Sequence, residues 1–164
     1  MMDNNNLDNA IAVTHQIRDA LRAEVERARA ERVLIRAMDV EGLMKRAVAR
    51  GEWNALVNQK QAQLSAELAL VARAHGLTEV TIDGLRGVAP APTELLAQAF
   101  AEVRSLAAAL AELDDLNRAL GQRALSFVRS YLTALSPRPA AYDRRGMAAA
   151  ASIARSSTVV SRVV

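Results

Sequence analysis

Residues 96–131 read "LAQAFAEVRSLAAALAELDDLNRALGQRALSFVRSY". Leu96, Ala99, Val103, Leu106, Leu110, Leu113, Asn117, Leu120, Ala124, Phe127 and Tyr131 follow one another in alternating steps of three and four. An α-helix turns once in about 3.6 residues, so these positions share one face. Their heptad spacing is that of helices packed nearly parallel or antiparallel to their neighbours. The pattern predicts a long helix beginning near Pro92, Thr93 and Glu94. Asn117 interrupts the apolar seam. A polar residue there either sets the register of packing, at some cost in stability, or offers a hydrogen-bonding point to a partner helix.

Working outward, two earlier segments have the same character. Leu7, Ile11, Ile17, Leu21, Val25, Ala28, Ile35, Met38 and Leu43 recur at loose three-to-four spacing, which predicts a first helix over 7–50. Asp3 and Asn4 to Asn6 offer capping oxygens ahead of it. Gly51, in "VARGEWNAL", is the expected break, because glycine suits a helix C-terminus. A second helix follows over 52–75, with Trp53, Leu56, Val57, Leu64, Leu68 and Val71 on one face, and Gly76 closes it. Residues 77–92, "LTEVTIDGLRGVAPAP", hold glycines and prolines that mark a connector without a helix. The expected fold is all-α: an elongated antiparallel bundle of about three long helices over 1–135, with a tail over 136–164 that is flexible or folds on binding.

Composition agrees with that class. Half of the 164 residues are apolar, yet only 3% are aromatic, and alanine and leucine favour helices. With no cysteine, disulfides and thiolate chemistry are excluded. The N-terminal "MMDNNNLDN" lacks the parts of a signal peptide, and no apolar run reaches the roughly 20 residues of a membrane span. A soluble, cytoplasmic protein is expected.

The net charge of +3 is unevenly placed. From Ser136 onward there are Arg138, Arg144, Arg145, Arg155 and Arg162 against the single acid Asp143, which leaves 16 basic and 17 acidic residues in the rest. The basicity belongs to the tail. A nucleic-acid-binding protein has a clustered basic face, and these arginines are interleaved with alanine and serine. No nucleic-acid partner is expected.

No constellation for catalysis is present. His15 and His75 are the only histidines, and neither has a second ligand at metal-binding spacing. Asp114 and Asp115 are adjacent on a helix and diverge by about 100°. "GLRG" at 84–87 has no preceding strand and is too short for a phosphate loop. The expectation is no enzyme, no metal and no cofactor. Trp53 suits a core anchor better than a binding aromatic. Tyr142 lies outside every helical seam, after Pro137 and Pro139, beside Asp143, Arg144 and Arg145. An aromatic flanked by arginines in such a segment suits a recognition peptide that folds on binding.

Three stretches resemble the FlgN family of flagellar export chaperones. "RGEWNALVNQKQAQLSAEL" is similar to that family's hairpin from a first long helix into a second, with Gly51 at the turn and Lys60 inside the second. "LAELDDLNRALGQRALSFVRSYLTAL" is similar to its last long helix, with Asn117 at a recurrent asparagine and Leu125, Phe127 and Val128 in a closing apolar cluster. "YDRRG", at 142–146, is similar to the motif that follows that helix. Glu52, Trp53 and Gly121 depart from the family's pattern.

The resemblance implies a cytoplasmic chaperone for type III export. Such a protein binds the C-terminal helical segments of hook-associated (hook-filament junction) proteins, prevents premature assembly and delivers its cargo to the flagellar export gate. Candidate partner-binding residues are then Asn117, Phe127 and Tyr131 on the last helix, and Tyr142, Asp143, Arg144, Arg145 and Gly146 in the tail. The competing expectation, drawn from the heptads alone, is a coiled-coil protein that self-assembles through the seam over 96–131. The oligomeric state is left open.

Overall fold

The computed structural model describes residues 4–136. Among them there is no strand, and four helices account for nearly all: α1 (Asn4–Ala37), α2 (Val40–Ala74), α3 (Ile82–Val88) and α4 (Pro90–Leu135). The chain divides into two compact units, Met1–Phe127 and Val128–Val164. The division falls inside α4.

The first turn is not at Gly51. α1 ends at Ala37, where Met38 takes a left-handed conformation with φ of 53°. Asp39 N donates to Leu34 O at 3.0 Å and Met38 N to Ile35 O at 3.1 Å, the paired closure of a Schellman motif. Asp39 then caps α2, its carboxylate accepting from Gly42 N at 2.9 Å. A Cβ on Gly42 would fall 2.5 Å from Asp39 Oδ2 and 2.9 Å from Leu34 Cδ2, so a larger residue there would push these two side chains aside. Gly51, by contrast, lies in the body of α2, where a Cβ would meet nothing within 4 Å. The end of α2 repeats the closure of α1: Leu77 N reaches Ala72 O at 2.9 Å, Gly76 N reaches Arg73 O at 3.4 Å, and Gly76 has φ of 63°.

The expected connector over 77–92 contains a helix. Thr81 caps α3 by accepting from Gly84 N at 3.0 Å, and Leu85 is fully buried. α4 begins at Pro90, earlier than its periodicity predicts, because proline is tolerated in a first turn that lacks N–H partners anyway. Thr93, buried, donates its hydroxyl to Ala89 O at 2.6 Å.

Two clusters form the core of the first unit. In one, Leu7, Ile11, Val71, Leu85, Ala89 and Leu96 are buried, with Leu68, Leu77 and Phe100 packed against them. In the other, Val13, Ile17, Leu21, Val25, Ala28 and Leu110 are buried, flanked by Trp53, Leu64, Val103, Leu106 and Leu113. α1, α2 and α4 each contribute to both clusters. Of the face expected on α2, Val57 and Val71 are buried, but Leu56 is exposed.

Candidate functional site

The structure places Asn117 inside the fold. It is 5% exposed, its Nδ2 donates to Ala28 O at 2.8 Å, and its Oδ1 accepts from Arg32 Nε at 3.2 Å. Both ends of the amide are thus occupied by α1. The side chain holds α4 against α1 at one register.

Beside it lies an ionic cluster that the periodicity did not single out. Glu24 has a side chain with no exposure, and it accepts from Arg27 Nη1 at 3.3 Å, from Arg50 Nη1 at 2.8 Å and from Arg46 Nη2. Arg50 continues to Asp114, with Nη2 2.6 Å from Oδ2. Arg46 Nε lies 3.2 Å from Glu31 Oε2, off the angle of a hydrogen bond, and its Nη1 is buried with no hydrogen-bond partner among the described residues. The cluster ties α1, α2 and α4 together. Its outer surface is a shallow hollow lined by Glu31, Leu43, Arg46, Ala47, Arg50, Asp114 and Arg118. The sequence signal was available: Glu24 stands between Leu21 and Ala28 on the apolar face of α1.

Trp53 is a core anchor. It is half-buried, its indole N–H donates to Ala20 O at 3.0 Å, and the Arg50 guanidinium sits 4.8 Å from its ring centroid. His15 is half-buried in α1, and His75 is the C-cap of α2. Among the described residues, no three His, Cys, Asp or Glu side chains gather where they would hold a metal ion. Arg18 bridges α1 to α4, and hydrogen bonding to Asp19, with further help from Glu102, raises its pKa above the usual arginine value.

The seam of α4 is buried only in part. Leu96, Ala99, Leu110 and Asn117 are buried, Leu120 and Ala124 are half-exposed, and Asn117 is the last buried residue of the helix. Phe127 is 66% exposed and Tyr131 59%, so neither continues the packing that the heptads predict. Leu125, Leu132 and Leu135 are likewise more than half exposed. Between 118 and 135 the helix carries Arg118, Arg123 and Arg129 and no acid. Tyr142, Asp143, Arg144, Arg145 and Gly146 lie outside the described residues.

Set beside protein-family models, curated proteins and solved structures, the chain matches none of them.

Proposed function

We propose that the protein is a non-enzymatic, cytoplasmic export chaperone of the FlgN type, built as a bundle of long helices. It holds the C-terminal helical segment of a hook-associated protein and passes it to the flagellar export gate. The observation that supports this most is on α4, which stays helical to Leu135 although its last buried residue is Asn117. Leu125 and Phe127 at the end of the first unit are left to solvent, as are Tyr131, Leu132 and Leu135 in the second, and large exposed apolar side chains on a helix suit a partner's amphipathic helix. The three arginines of the same stretch suit a cargo segment with acidic flanks. The tail motif from Tyr142 to Gly146 is assigned to the export gate by resemblance alone. No helix among the described residues is long and apolar enough to cross a membrane. Self-assembly through the seam is the alternative, and it would be confined to the end of α4, because Leu96 to Asn117 are packed within the chain.

Calorimetric titration of the full chain with the C-terminal segment of a hook-associated protein tests the proposal. One-to-one binding at micromolar or tighter affinity is expected, lost in Phe127→Ser and retained in Asn117→Ala, whose amide works inside the fold. Absence of heat with the unsubstituted chain would end the chaperone reading.

A further inference from the structure

The outward face of α2 has an unusual composition. Taking about 100° of rotation per residue, Val40, Met44, Ala47, Val48, Gly51 and Ala55 fall within one arc of roughly 100°. All six are exposed, and Val40, Met44 and Val48 are each about two-thirds exposed. The arc continues to Ala69 with Asn58 and Ser65 as its only polar members and no charge. Along this arc, as far as Ala69, the helix presents no charge to solvent. Its bulky residues are at the N-terminal end, and its small ones follow.

Charge borders the bulky end on one edge only. Glu41, Lys45 and Glu52 lie there, Lys45 pairing with Glu41 at 2.6 Å, while Glu52 has no ion-pair partner among the described residues. Arg46 and Arg50 point inward to Glu24.

We infer that this face pairs with the same face of a second copy, antiparallel, about a two-fold axis crossing α2 at the level of Val48 and Ala49. Self-complementarity is what an isologous contact requires, and three features supply it. First, the register brings Lys45 level with the partner's Glu52, and Glu52 level with the partner's Lys45, along the edge where the two helices meet. A parallel two-fold pair would instead put this edge on opposite sides of the contact, so Lys45 and the partner's Glu52 would not meet. Second, Met44 falls level with the gap between the partner's Gly51 and Ala55, so the largest side chain meets the smallest. Third, Gly51 has open space where its Cβ would be, so its absence serves no contact among the described residues and leaves room for a partner. The pairing is independent of the cargo-binding reading, which concerns α4.

The chain has no cysteine, so introduced ones report position cleanly. Sedimentation of the full chain across a wide concentration range is expected to show a monomer–dimer equilibrium. Val48→Glu puts a carboxylate at the axis and weakens the dimer about tenfold or more, with unchanged helix content by circular dichroism. Lys45→Glu and Glu52→Lys each weaken it, and the two together restore it. Under mild oxidation Val48→Cys cross-links two copies, whereas Ala66→Cys, on the same face but past the overlap, does not. A chain monomeric throughout, a dimer insensitive to Val48→Glu, a double exchange that fails to restore association, or cross-linking as ready at 66 as at 48 would each overturn the inference.

Discussion

Glu24 illustrates how one residue can commit three helices. Its carboxylate has no solvent exposure and is shared by Arg27, Arg46 and Arg50. Such a cluster contributes little net stability compared with apolar packing, because each ion loses hydration, but removing one member leaves the others uncompensated. Glu24→Ala is therefore expected to cost about 3–5 kcal/mol in urea unfolding, far more than truncation of the exposed Glu26. A cost below about 1 kcal/mol would mean that Arg46 and Arg50 find water when Glu24 is gone. At this scale the sequence was partly legible. Asn117 announces itself by breaking a heptad, and a register role was one of its two readings. Arg46 and Arg50 carry no such signal, since their partners are distant in sequence and only the reversal of the chain after α1 brings them to Glu24.

Among the elements, the turn between α1 and α2 departs furthest from expectation, and the reason is local. A Schellman closure favours glycine at its left-handed position, as Gly76 shows at the end of α2. At the end of α1 that position holds Met38, so the sequence offers no punctuation there, while Gly51 offers punctuation that the fold does not use. The apolar spacing runs across 37–40 without visible change, which explains the prediction of one helix over 7–50. Two substitutions follow. Met38→Gly relieves a left-handed side-chain-bearing residue at an exposed site and is expected to stabilise by about 1 kcal/mol. Gly51→Ala is expected to add about 1 kcal/mol to the stability of the monomer through helix propensity, while weakening self-association by filling the space opposite the partner's Met44. Thermal or urea melts at low concentration, with sedimentation alongside, separate the two effects. A destabilised Met38→Gly variant would show that Met38 has a packing role its exposure does not suggest.

For the molecule as a whole, the long helices were legible because periodicity accumulates over many turns, and short α3 was not because seven residues are too few to show it. Yet α3 supplies Leu85 to a cluster that also takes Leu7, Val71 and Leu96 from the three long helices. Those helices run on into the second cluster, so the two should unfold together. Leu85→Ala is expected to cost about 2–5 kcal/mol, and amide hydrogen exchange should lose protection around Leu21 and Leu110 as much as around Leu7. Loss confined to the surroundings of Leu85 would instead define an end that opens by itself. The candidate site was less legible than the fold. Exposure of Phe127 and Tyr131 depends on where their neighbours stop, which a heptad pattern does not state. One feature of the core also gives the protein an optical signal of its own. Trp53 is the only tryptophan, and its indole spans from α2 to the Ala20 carbonyl of α1 beneath the Arg50 guanidinium. Its fluorescence therefore reports one event, the parting of α2 from α1, and a shift of its emission to longer wavelength would time that step without any attached dye.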